Sequence, residues 1–246
     1  MVPLPAIDET RFENFFEFIK NFQQILYPER GVFIRDRFLF RGQGSSDFQL
    51  KSSFDRKFSV FPVSKRVEIY KVLKSYIKDE INADAVECPE EGGFIGLAQH
   101  YGLPTRLLDW TTSPLVAAYF AFHQRAQMPS VGRDVTIWAL DRNSQIWSGD
   151  YSAKIIKLVG MKNARADLQL GYATSLEATF DTIEEFVLHV NPRETVLWKF
   201  NIDASQSELA FSFLDACNIR GSTLFGDIQG ALITAFERLS LDIRGM

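Results

Sequence analysis

One run of the chain, LAQHYGLPTRLLDWTTSPLVAAYFAF, limits the fold more than any other. Ser113 followed by Pro114 is a helix start, with a hydroxyl at the cap and proline in the first turn. The residues after it, LVAAYFAF, are apolar on every side, so the spacing predicts a helix buried all round. Yet Arg106, Asp109, Thr111, Thr112 and Ser113 lead directly into that helix, and Arg41 stands in a second run, RFLFRGQGSSDFQL. Polar groups set inside apolar sequence must be paired or must meet a ligand.

The remaining pattern is mixed. Phe12, Phe15, Phe16, Ile19, Phe22 and Leu26 keep helical spacing, with Asp8 or Thr10 as cap and Pro28 as stop. Arg37 to Gln43 reads as a strand ending at Gly42, and Val67 to Ile81 as an amphipathic helix whose charges face water. A loop follows from Cys88 to Gly93, then a short helix from Phe94 to Tyr101, stopped by Gly102 and Pro104. Leu107 and Leu108 anchor a short strand, and Val135 to Leu140, Leu168 to Thr174 and Val187 to Val190 read as further strands. The alternation of Val196, Trp198, Phe200 and Ile202 marks a half-buried strand. Ser207 to Cys217 and Asp227 to Leu239 read as helices, the last carrying Ile228, Leu232, Ala235, Phe236 and Leu239. Helices early and late with strands mostly between them predict an α+β fold, organised as one domain over residues 1–246.

Composition excludes several classes. No run of about 18 uncharged apolar residues exists, so no membrane span is expected. The start, MVPLPAIDETRF, lacks a basic and apolar leader pattern, and a cytoplasmic location is expected. Cys88 and Cys217 are far apart, and His100, His123 and His189 have no metal spacing with them; neither a disulfide framework nor a metal is expected. The 22 phenylalanines point to a Phe-rich core. The net charge of -4 hides an asymmetry: residues 30–78 hold twelve Lys or Arg against four Asp or Glu. A basic region in an acidic chain suggests an anionic ligand on one face.

Three elements are chemically suggestive. In Phe40-Arg41-Gly42-Gln43 a fixed cation stands beside a glycine that lets a ring or phosphate approach the main chain. The hydroxyls of Thr111, Thr112 and Ser113 at a helix start suit a ribose or phosphate. Alternatively, Asp109 and Ser113 cap that helix and Arg106 is the partner of Asp109. In RADLQLGYAT, Arg165, Gln169 and Gly171 gain interest only beside the other two. No phosphate-loop lysine motif, dinucleotide glycine motif, nucleophile elbow or HExxH sequence is present.

FRGQ, the run LAQHYGLPTRLLDWTTSPLVAAYFA and R-x-x-x-Q-x-G-Y together resemble the FRG domain over about residues 30–175, with a less diagnostic C-terminal extension from about 180. That family in turn resembles, more distantly, the ADP-ribosyltransferase fold, which implies a split sheet core with flanking helices. The resemblance implies that Arg41 clamps the diphosphate or a ribose of NAD and that Gly42 seats the nicotinamide. Tyr101 or Tyr172 would stack on the nicotinamide, and Thr111, Thr112 and Ser113 would hold the ribose. Gln169 would orient that ribose, and Gln43 and Arg106 would complete the NAD site. In that fold a glutamate two residues after this Gln favours the cationic transition state, but here the position holds Gly171; either Glu177 or another acid reaches the site from a loop, or the chemistry uses Asp109, or the fold has lost transfer activity.

The resemblance therefore implies an enzyme that uses NAD as co-substrate, acting as a bacterial toxin or anti-phage defence effector. Its acceptor would be RNA or DNA guided by the basic segment 51–78, or a protein. Two other expectations stand beside it: a non-catalytic module that senses a nucleotide or RNA, and an interaction domain held by an antitoxin-like partner protein.

Overall fold

The computed structural model of the chain describes residues 6–29, 34, 36–80, 95–96, 98–99, 101–148, 152–158, 168–169, 171–177 and 179–245. The first strand β1 (Ile7–Phe12) precedes α1 (Phe15–Leu26), and β2 (Phe38–Gln43) precedes α2 (Ser53–Lys57) and α3 (Val63–Glu80). Next come β3 (Leu107–Thr111), α4 (Pro114–Gln127), β4 (Asp134–Asp141), β5 (Ala153–Lys157) and β6 (Gly171–Leu176). After α5 (Ile183–Val190) and β7 (Leu197–Asp203), the chain closes with α6 (Ser207–Ala216), α7 (Gly221–Phe225) and α8 (Ile228–Gly245). The fold is α+β: one seven-stranded sheet in the order β1-β7-β4-β2-β3-β6-β5, with helices against it.

All neighbours in the sheet are antiparallel except β1 and β7, which run parallel. The ladder is continuous from β2 through β4 to β7, and again from β3 through β6 to β5. Between these halves, β2 and β3 meet only at Phe40 and Thr111. Beyond that pair the strands diverge, so Arg41 and Gly42 of one and Asp109 and Trp110 of the other flank a gap.

Alternation along β2 explains how the sheet is covered. Phe38 and Phe40 join a cluster with Phe15, Phe18 and Phe22 of α1 and with Phe122 of α4. Leu39 faces the other way, into a cluster with Trp138, Leu140 and the α5 residues Ile183, Phe186 and Val187. A third cluster sets Phe54, Tyr70 and Ile77 against Leu107 and Ala173. Each such side chain contributes about 1.5–3 kcal/mol on burial, and edge-on pairs such as Phe15 with Phe122, centroids 5.8 Å apart, add to it. The expected Phe-rich core is present, and α4 is buried as its sequence requires: Ala117, Ala118, Tyr119, Ala121 and Phe122 are fully enclosed.

Several elements depart from the sequence expectation. Residues 7–12 form a strand, not a helix lead-in, because they pair with β7; the cap of α1 is Asn14, whose side chain accepts from the Glu17 N–H. The Val187–Val190 run is helical. Thr182 caps that helix, and Ile183, Phe186 and Val187 place one apolar face on the sheet, so packing overrides the β-branched composition. Gln169 lies in a turn, and β6 begins only at Gly171. Helix α3 starts at Val63, and its Arg66 is buried rather than turned to water. The expected loop at 88–93, and Phe94, His100 and Arg165, lie outside the described residues; Ile95, Gly96, Ala98 and Gln99 are helical, as expected. No helix among the described residues is long and apolar enough to cross a membrane.

Candidate functional site

The divergence of β2 from β3 opens a cleft of about 350 Å³, lined by both strands, by α4 and by Gln169. That volume lies near the lower end of small-molecule sites, about 300–1,000 Å³. Arg41 bridges the gap: its Nη1 donates to the main-chain carbonyl of Asp109 at 2.6 Å. Its Nε is buried and has no hydrogen-bond partner. A buried guanidinium N–H left unmatched is costly, and the cleft meets Arg41 through its other atoms.

Asp109 is on the same floor. Its Oδ1 accepts from Gln99 Nε2 at 2.6 Å, and Gln99 in turn accepts the hydroxyl proton of Thr105. Asp109 is exposed to water and Arg41 half-buried, with protein atoms packed densely around both. Burial therefore dominates: it pushes the Asp109 carboxyl above its ordinary range, against the opposing pull of Arg41 and of the Gln99 hydrogen bond. Burial likewise draws the Arg41 guanidinium below its ordinary range, opposed by Asp109 and reinforced by the nearby charge of Arg56. The cleft thus holds one cation and one anion, each incompletely compensated.

The opposite wall is the outer stripe of α4, with Ala117, Phe120, His123, Gln124 and Gln127. His123 is braced there. Its Nδ1 lies 3.0 Å from Glu237 Oε1, its Nε2 lies 2.9 Å from Gln127 Nε2, and its ring stacks on Tyr119 at 5.5 Å. Tyr119 also donates to Glu237 at 2.9 Å; burial, and then the charge of Glu237, raise its hydroxyl well above the usual range, so it stays protonated. Sequence reasoning overlooked His123 and Gln99. His123 falls on the same face of the helix as Ala117, Phe120 and Gln124, but that face was expected to be wholly buried.

The other candidates divide sharply. Thr111 lines the cleft, though its Oγ1 accepts from the Ser113 N–H at 3.1 Å. Ser113 is the cap of α4, accepting from the Val116 N–H at 3.3 Å, and is not among the lining residues. Thr112 is half-buried beside it and does not line the cleft. Gln169 does, holding the Leu224 carbonyl through Nε2 at 3.2 Å.

Gly42 also lines the cleft, but its missing side chain is explained by α4. A methyl group there would overlap the Ala117 carbonyl oxygen and lie 2.6 Å from the Ala121 nitrogen. Gln43 is buried between the Trp138 indole, which donates at 2.7 Å, and the Gln49 carbonyl, so it is not at the cleft. Tyr172 accepts from Arg142 at 3.0 Å, and Tyr101 is 83 % exposed; neither lines the cleft. Glu177 is exposed and lies outside it as well.

Arg106 is the clearest displacement. It is buried behind β3, where Nε donates to Asp55 Oδ2 at 3.0 Å and Nη2 to the Phe180 carbonyl at 3.2 Å. Its partner is Asp55, not Asp109. Arg66 joins the same network, 3.3 Å from Asp55 and 2.6 Å from Asp181, and Lys51 lies 2.6 Å from Asp181. Part of the basic segment 51–78 is therefore committed to ion pairs inside the fold, while Lys57 and Lys71 lie exposed on α2 and α3. Among the described residues no group of three His, Cys, Asp or Glu side chains could hold a metal ion.

No curated protein and no solved structure matches the chain. The FRG domain family matches residues 36–129, a span that contains Arg41, Asp109, Thr111 and His123 but ends before Gln169. Both opposed charges of the cleft thus fall inside the matched span, and over these residues the chain is similar to the FRG domain.

Proposed function

We propose that the cleft binds NAD and that the protein transfers ADP-ribose from it in the manner of an ADP-ribosyltransferase, on a split-sheet core of that kind. The observation that carries this reading is the pair of opposite, incompletely compensated charges lining one cleft. NAD presents a cationic nicotinamide riboside and an anionic diphosphate. Asp109 suits the first, and Arg41, whose guanidinium lines the same cleft, suits the second. The cleft volume fits the nicotinamide riboside half, leaving the adenylate outside.

Breaking the bond between the ribose C1′ and the nicotinamide nitrogen releases neutral nicotinamide and leaves positive charge on the ribose. A fixed carboxylate beside that carbon lowers the barrier by electrostatics. Asp109 takes this role in place of the glutamate that the ADP-ribosyltransferase pattern would put at Gly171. Gln169 and Thr111 orient the ribose. The acceptor hydroxyl attacks C1′ and loses its proton to His123 Nε2, whose other nitrogen is held by Glu237. A toxin or defence role, acting on a nucleic acid or protein acceptor and restrained by a partner, is consistent with such chemistry.

Labelled NAD tests the reading. The wild-type protein should release nicotinamide, and Arg41→Ala and Asp109→Asn should each lower that release by about 100-fold or more. Gly171 removes the usual carboxylate and favours a second reading, a nucleotide sensor. Tight NAD binding without release would establish the sensor, and absence of both would sink the NAD site altogether.

A further inference from the structure

Helix α8 places five large apolar side chains in the open: Ile228 at 80 % exposure, Leu232 at 66 %, Phe236 at 71 %, Leu239 at 52 % and Ile243 at 59 %. Their helical spacing is that of a core-facing stripe, yet nothing in the chain covers it among the described residues. The helix is not loosely attached. Gly230 sits against Gly221 so closely that a methyl group would overlap the Gly221 carbonyl oxygen. Thr234 accepts from the Ser222 N–H at 2.7 Å, Glu237 holds Tyr119 and His123, and Arg238 pairs with Asp215 at 2.7 Å. These contacts fix the stripe facing outward.

We infer that this face binds a second copy of the chain, with the two α8 helices antiparallel across a two-fold axis. The stripe itself is symmetric. Reading outward from the bond between Ala235 and Phe236, the two directions match: Leu232 balances Leu239, and Ile228 balances Ile243. Antiparallel pairing at that centre sets Leu232 of one copy on Leu239 of the other, and Ile228 on Ile243. At the centre, Phe236 of each copy lies over Ala235 of the other, large against small. An interface of this kind must be complementary to itself, and an unrelated partner would have no need of that balance.

The area agrees. At roughly 150–200 Å² for a full large side chain, the five residues open about 500–650 Å² per copy. Two copies would bury about 1,000–1,300 Å², which reaches the lower range of stable interfaces, near 1,200 Å². A patch of about 500–650 Å² lies at the upper end of the roughly 300–600 Å² that the largest patch on a monomer spans, where such patches are often functional. No charged residue interrupts the stripe itself, as the centre of an interface requires.

Sedimentation of the chain over a concentration series tests the inference. The expected result is a monomer–dimer equilibrium. Leu232→Glu and Leu239→Lys should each weaken the dimer by about 30-fold or more, with melting temperatures unchanged at concentrations where the wild type is monomeric, because both sites face water there. An equimolar mixture of the two variants should recover a dimer, since the introduced Glu of one copy meets the introduced Lys of the other. A wild-type chain that stays monomeric at its highest soluble concentration would overturn the inference. So would a dimer indifferent to Leu232→Glu, or a mixture that stays monomeric.

Discussion

Arg41 and Arg106 come from similar sequence, a cation set among apolar residues near a glycine or a proline, and they end in opposite surroundings. Arg106 lies in an ion-pair network behind β3, where its charge and those of Arg66 and Lys51 are balanced by Asp55 and Asp181. Arg41 lies at the split of the sheet, with one hydrogen bond to a carbonyl and a buried nitrogen left over. The lesson is that a charge inside apolar sequence signals a partner first. It signals a ligand only where the charge also opens onto a cleft that a ligand can enter.

Removing each arginine sharpens that contrast most. Arg106→Met should cost about 3–5 kcal/mol of unfolding free energy, because Asp55 would be left buried with one cation fewer. Arg41→Met should change stability by no more than about 1 kcal/mol, since the loss of one hydrogen bond is offset by removing an unmatched group. Denaturant unfolding of both variants checks this. If the two variants lose equal stability, the two regions are alike and the cleft is not poised for a ligand.

A smaller effect is expected at Gly42. Gly42→Ala should destabilise by about 1–3 kcal/mol, since the added methyl meets the backbone of α4 rather than a movable side chain. A melt unchanged by this substitution would mean that α4 can retreat from β2. The role of Gly42 would then return to the ligand.

The smallest effect separates the two regions by pH. Burial holds the Asp109 carboxyl above its ordinary range, so its contribution to stability is fully present in acid and is lost as pH rises through the raised value. Burial also pushes Asp181 upward, but hydrogen bonds and charge from Lys51 and Arg66 outweigh it and hold the carboxyl below its ordinary range. Its contribution is present above the ordinary range and is lost as pH falls through the lowered value. Asp109→Asn should therefore raise the melting temperature at neutral pH and leave it unchanged in acid. Asp181→Asn should lower it at neutral pH, with the difference closing in acid. Melting curves across pH check both, and the same sign for the two variants would break the comparison.

Much of this could be read locally. Ser113-Pro114 announces α4, and the apolar run behind it requires burial; both hold because capping and an unbroken apolar run act within a few residues. The odd residues Arg41 and Asp109 were visible for the same reason. The pairing of Arg106 was not, because Asp55 lies 51 residues away and nothing in either segment names the other. Residues 7–12 look like a helix lead-in until β7 arrives to pair with them. The stripe of α8 looks like any core-facing helix, since spacing records that a face is apolar and not what covers it.

The sequence by itself determined the buried helix, its cap, the aromatic core and the residue types that stand out against it. Those properties depend on neighbours along the chain. Only the tertiary structure decided that Arg41 and Asp109 share a cleft while Arg106 does not, and that His123 faces them. Which polar groups are satisfied is settled by contacts between distant segments, where burial makes every unmatched charge expensive.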